Sequence, residues 1–190
     1  MPRTKLALAR GFPPVIDDGA RVLVLGSLPG RASLEARQYY AQPQNAFWRI
    51  MGALVGAGPE LGYPQRLARL TSSSLALWDV LAAGQREGSL DAAIVRATAI
   101  ANDFAGLFEH HRGIELVCFN GRTAESLYRQ RVLPSLPARF AGIALHALPS
   151  TSPAHAGMPF AVKLDLWSVL LPHSAEAFRA RPTAGRERAR

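Results

Sequence analysis

The chain has 190 residues, 48% of them hydrophobic, enough for one ordinary domain with its own core. Its formal net charge of +8 favours a polyanionic partner, because each phosphate neutralised by a basic side chain releases condensed counterions. No apolar run approaches the roughly 20 residues of a membrane span, and the opening MPRTKLALARGF lacks a signal peptide's apolar stretch, so a soluble, cytoplasmic protein is expected. A single cysteine, Cys118, excludes an internal disulfide and a four-cysteine cluster, and its setting in IELVCFNG reads as a buried strand thiol.

In chain order, residues 1–20 read as an N-terminal arm. Residues 21–25 (RVLVL) form an apolar, β-branched run closed by Gly26, the pattern of a buried parallel strand. Helical stretches follow at 45–55 and 63–70, separated by the breaker-rich GAGPELGYP. Residues 75–81 (LALWDVL), 114–119 (IELVCF) and 143–148 (IALHAL) supply three more strands. Residues 90–110, 123–131 and 160–171 have helical composition. Strands separated by helices predict an α/β fold, a single-domain three-layer α/β/α sandwich with a central four-stranded parallel sheet, over residues 21–172. The arginine-rich remainder, 173–190, reads as a flexible basic tail.

In such sheets a site forms at the carboxyl ends of the strands. The segments that should meet there are GSLPG (Gly26, Ser27, Leu28, Pro29, Gly30), Trp78 and Asp79, Asn120 with Gly121, and LPSTSPAHAG with Ser150, Thr151, Ser152 and His155. Gly26 and Gly30 permit close backbone approach, and Pro29 stiffens the turn. The stretch QYYAQPQNAFW places Tyr40, Asn45 and Phe47 together, an aromatic face beside amide groups, which suits a flat base that offers a π-face and a hydrogen-bonding edge. Trp48 reads as core. The hydroxyl-rich last loop suits phosphate contacts.

Taken in order, GSLPGRASL, YYAQPQNAFW, ALWDVL, FNG and LPSTSP resemble the uracil-DNA glycosylase superfamily from about residue 21 to 171, and most closely its hypoxanthine-DNA (deoxyinosine) glycosylase branch. That resemblance implies excision of a flipped, deaminated base, hypoxanthine first with uracil or xanthine as the alternative, from double-stranded or single-stranded DNA, by a cofactor-free monomer that associates with the nucleoid while on DNA. It implies that Gly26, Ser27, Leu28, Tyr40, Phe47, Trp78, Asp79 and Asn120 contact the base, and that Ser150, Thr151, Ser152 and His155 contact DNA. The sequence departs from the family at Leu28, where mismatch-specific uracil enzymes carry an Asn and other uracil enzymes an Asp, and at Leu148, where they carry Asn or His. Ser152 stands at the position that often holds a Leu wedge. In the hypoxanthine branch the Asn of the N-x-F-W stretch, here Asn45, is implied to take the catalytic role of orienting water or the purine.

Cleavage of the glycosidic bond puts positive charge on the sugar and negative charge on the departing base, so fixed hydrogen-bond donors suffice as catalysts. No His/Cys/Asp/Glu spacing suggests a metal site, and His110 and His111, adjacent in sequence, diverge on a helix. The two lysines, Lys5 in the arm and Lys163 with helix-surface spacing, leave no obvious amine for Schiff-base chemistry, so a monofunctional enzyme is expected. Two readings of other classes remain: a serine hydrolase using Ser27 or Ser150 with His155 and Asp165, which lacks the G-x-S-x-G elbow, and a silent DNA-binding module.

Overall fold

The computed structural model describes residues 8–173. The expected arm and tail therefore lie partly outside the described residues.

Four strands make the central parallel sheet: β2 (Val22–Gly26), β3 (Leu75–Asp79), β6 (Leu116–Asn120) and β7 (Ala144–Leu148), in the order β3-β2-β6-β7. The first three are buried on both faces, which explains why their sequences run apolar instead of alternating. Side chains still alternate between two cores. Leu23, Leu25, Ala76, Val117 and Phe119 face one side with α4 (Phe104–His110) and α5 (Arg122–Arg131). Val22, Val24, Leu77 and Cys118 face the other, with α2 (Phe47–Val55), α3 (Tyr63–Ser72) and α6 (Phe160–Trp167). The expected three-layer sandwich is thus present, and burial pushes the Cys118 thiol up to about 12, leaving it protonated and inert. A short helix, α1 (Arg31–Ala36), follows the loop after β2. No described helix is long and apolar enough to cross a membrane.

Two expectations from the sequence need correction. The run LALWDVL is not one strand: the chain breaks pairing after Asp79, and β4 (Leu81–Gln85) joins a separate antiparallel sheet with β1 (Leu8–Arg10) and β5 (Ile100–Ala101). Both halves are buried, so periodicity carried no sign of the break. Residues 90–110 are not one helix either. They begin as two 3₁₀ turns, Asp91–Ala93 and Arg96–Thr98, tied back to β4 by the Val95 amide donating to the Gln85 carbonyl at 2.8 Å. The α-helix begins only at Phe104, where Asp103 caps it by accepting from the Gly106 amide at 2.9 Å. Helical propensity here yields to tertiary pairing.

The N-terminal arm also does more than its sequence suggests. β1 pairs with β4, the Val15 amide donates to the Leu77 carbonyl at 2.9 Å, and the Phe12 carbonyl accepts from the Trp78 indole at 3.0 Å.

Phe104 is 2% exposed and meets Trp78, Phe108 and Tyr128 in ring contacts at 5.1, 6.0 and 5.1 Å. Phe104→Ala is expected to lower unfolding free energy by about 3–5 kcal/mol. A urea titration checks this, and a loss under 1 kcal/mol would show that the aromatic cluster relaxes around the cavity.

Candidate active site

The carboxyl ends of β2 and β3 are in register, with Gly26 opposite Asp79. A β-carbon on Gly26 would collide with Asp79 Oδ1 and stand 3.4 Å from the Tyr40 hydroxyl, so these three groups share one small space. Asp79 is 4% exposed, and its Oδ2 is enclosed without a hydrogen-bond partner. Burial, with the nearby Asp91 charge, pushes its carboxyl from 3.8 up to about 8, against the opposing pull of Arg86. The Tyr40 hydroxyl is likewise enclosed and unpartnered. Burial raises the Tyr40 phenol far above its ordinary range and the Asp79 charge adds to this, while the Asn120 side chain pulls the other way.

Tyr40 adopts φ 54°, a left-handed backbone conformation that is costly for an aromatic residue. Its ring stacks on Phe47 at 3.9 Å and 21°. Phe47, fully buried and edge-on to Trp48 and Trp167, therefore backs Tyr40 from the core and does not itself line the site. Asn45 sits half-buried at the mouth of α2, where its Oδ1 accepts from the Phe47 amide at 3.0 Å. That bond fixes the amide's orientation and leaves Nδ2 and one Oδ1 lone pair unused.

The last loop is clamped to this floor. Asn120, at the end of β6, donates to Thr151 Oγ1 and accepts from the Thr151 amide, both at 2.8 Å, and the Thr151 carbonyl accepts from the Ala46 amide at 3.0 Å. Gly121 has φ 96°, and a β-carbon there would stand 2.9 Å from Ser150 Cβ, so only glycine lets the loop close so tightly. Thr151 is buried and braces the loop, whereas Ser150 and Ser152 are half-buried and His155 is exposed.

A further brace comes from residues that sequence reasoning missed. Arg86, 9% exposed, donates to the Leu28 carbonyl at 3.1 Å and to the Pro29 carbonyl, and pairs with Asp91 at 3.4 Å. Asp91 in turn accepts from the Ser27 hydroxyl at 2.6 Å. The guanidinium fork thus holds the GSLPG turn from behind. The Leu28 side chain enters the core at 4% exposure, so this turn presents backbone. The only forewarning was a charged residue next to a short apolar run, AAGQREG.

Three expectations change. Trp78 is not in the site, since it faces the core opposite to Asp79 with its indole bonded to Phe12. Lys163 is not a surface residue: it is 5% exposed, donates to the His155 carbonyl at 3.4 Å, and burial lowers its ammonium pKa. The serine-hydrolase arrangement is not assembled, because Ser27 is engaged by Asp91 and Ser150 Oγ accepts from the Ser152 amide at 3.2 Å. Among the described residues no cluster of His, Cys, Asp and Glu could hold a metal ion.

An aromatic ring beside enclosed polar groups at the carboxyl edge of a parallel sheet suits a flat, hydrogen-bonding ligand. Residues 13–174 match the uracil DNA glycosylase superfamily, and the chain belongs to that superfamily. A hypoxanthine DNA glycosylase of Methanosarcina acetivorans is 42% identical over 137 residues, covering 67% of this chain and 85% of the relative. One from Methanosarcina barkeri is 42% identical over 114 residues, covering 60% and 71%. The solution NMR structure of a candidate uracil DNA glycosylase from M. acetivorans superposes with a TM-score of 0.73 at 36% identity, over 88% of this chain and 99% of that one.

Arg86→Met is expected to cost about 1–3 kcal/mol of stability, because the Leu28 and Pro29 carbonyls lose buried donors. An unchanged denaturation midpoint would show that water or backbone relaxation replaces the fork.

Proposed function

We propose that the protein is a monofunctional DNA glycosylase that hydrolyses the N-glycosidic bond of hypoxanthine in deoxyinosine-containing DNA, single- or double-stranded, acting as a monomer. The supporting observation is the enclosed, unpartnered pair of polar groups, Asp79 Oδ2 and the Tyr40 hydroxyl, gathered at Gly26 where the strands end, with the Tyr40 ring stacked on Phe47. Buried polar groups without partners are costly, so a ligand that supplies the missing hydrogen bonds is favoured. The relatives named for hypoxanthine support the choice of base.

In this reading the target nucleotide flips from the stack, at a cost that is least for a mispaired base. Tyr40 stacks on the base through the face opposite Phe47. Gly26, Ser27 and Leu28 offer backbone at its edge, and Asp79 and Asn120 form the floor. Asn45 orients water or the departing purine. Ser150, Ser152 and His155 hold neighbouring phosphates while Thr151 keeps their loop in place. The C1′–N9 bonding pair leaves with the base and water's oxygen bonds C1′.

Removing one positioned donor costs about 2–4 kcal/mol of transition-state stabilisation. Asn45→Ala is therefore expected to slow single-turnover hypoxanthine release by that amount while DNA binding persists, and release at the wild-type rate would remove Asn45 from the mechanism. Tyr40→Ala is expected to weaken productive binding by about 1–3 kcal/mol, the range for a lost stacking face, with Tyr40→Phe mild. Equal damage from both would assign the work to the hydroxyl instead of the ring.

A further inference from the structure

Asp79 presents an electrostatic problem that the packing around it does not solve. Its carboxyl is buried, one oxygen has no donor, and Arg86, the cation that acts on it, aims its two terminal nitrogens at the Leu28 and Pro29 carbonyls and at Asp91, while its enclosed Nε reaches no acceptor, Asp79 included. Every other charged or titratable group facing it works against a negative charge or is neutral. Asp91, on the 3₁₀ turn beyond β4, repels it. Tyr39 and Tyr40, from the loop before α2, are phenols held protonated well above their ordinary range, chiefly by burial. Gly26 and Asn120, from the ends of β2 and β6, carry no charge. An ionised carboxylate in such a place needs a donor on its free oxygen, and none of the described residues supplies one, whereas a neutral carboxylic acid is both donor and acceptor.

We propose that Asp79 works as a neutral carboxylic acid, pairing with the lactam edge of the flipped base, donating its proton as a hydrogen bond to the carbonyl oxygen and accepting the ring N–H. This rests on the glycosylase reading above and specifies how the floor of that site acts. Deamination creates that edge, since it replaces an exocyclic amine with a carbonyl and a bare ring nitrogen with an N–H. As the C1′–N9 bond breaks, its electron pair goes to the base and part of the resulting negative charge collects on the carbonyl oxygen. A donor already aimed there gains strength as the charge grows, and an anion in its place would repel it. Asp79 keeps its proton throughout. The proton released by the attacking water reaches the expelled base through solvent, so the residue needs no resetting between turnovers.

The direction of the pH effect follows. The acid is intact below about 8 and ionises above it. Activity attributable to Asp79 is therefore full at pH 6–7 and falls about tenfold per pH unit beyond that point. Asp79→Asn keeps an N–H donor and a carbonyl acceptor at the same place but cannot ionise.

The test is single-turnover base release from a duplex carrying one deoxyinosine, measured from pH 6 to 9.5 for the wild type, Asp79→Asn and Asp79→Ala, with circular dichroism confirming that each is folded at each pH. Ionisation of the substrate's own N–H is common to all three and cancels in their ratios. The expected result is a wild-type to Asp79→Asn rate ratio that declines through about pH 8. Asp79→Ala is expected to lose about 10²–10³ at neutral pH, the scale for one oxyanion donor. A ratio constant across the range would overturn the neutral acid, as would an Asp79→Asn protein that is folded but as inactive as Asp79→Ala. If Asp79→Ala does not fold, the wild-type to Asp79→Asn ratio alone decides. Wild-type protein that releases no base from deoxyinosine, uracil or xanthine duplexes at any pH would instead refute the glycosylase reading itself.

Discussion

Because β2 ends on Gly26, opposite Asp79, no β-carbon fills the space that the Asp79 carboxyl and the Tyr40 hydroxyl share. Parallel pairing carries β2, β3 and β6 to a common edge, so the residue at the end of each strand is placed by ladder geometry alone. What each end residue then does depends on its size and polarity. Glycine supplies room, aspartate a buried acid, and asparagine a two-bond clamp onto Thr151. Even alanine at position 26 would push the Asp79 carboxyl aside.

The parts of the site without such regular placement are held by irregular braces. The GSLPG turn is gripped by the Arg86 fork and by the Ser27–Asp91 bond. Both gripping residues come from the β4–β5 excursion, which takes no part in the central sheet. The Tyr40 ring is propped by Phe47, and the last loop is tied to Asn120 and Ala46. Each brace spends buried polar groups on fixing backbone, while Asp79 Oδ2 and the Tyr40 hydroxyl stay unpaired between them. This is a preorganised arrangement, in which reorganisation is completed on folding and not during reaction.

Much of this was legible in the sequence. Apolar runs closed by glycine and asparagine located β2 and β6, an apolar run located β3 without its end, and the rule that sites form at strand carboxyl ends pointed to Gly26, Trp78 with Asp79, Asn120 and the Ser150–Ser152 loop. What stayed hidden was tertiary in origin. Trp78 and Asp79 are neighbours in sequence, yet strand alternation sends them to opposite faces, and the face could not be assigned while both sides were buried. Lys163 has surface spacing, but it is buried and its ammonium donates to the His155 carbonyl of the last loop, a partner its spacing could not announce. Arg86 resembled any exposed arginine, because carbonyls distant in sequence are what justify its burial.

If the floor formed by Gly26, Asp79 and Asn120 receives a flipped base, the most direct measurement is the base that the protein liberates. Purified protein incubated with duplexes carrying a single hypoxanthine, uracil or xanthine should release free hypoxanthine fastest, seen by chromatography of the small-molecule fraction. The strand should remain unbroken until alkali cleaves the abasic site. Release of no base from any duplex would contradict a glycosylase, and strand cleavage without alkali would contradict a monofunctional one and place an amine such as Lys163 in the reaction.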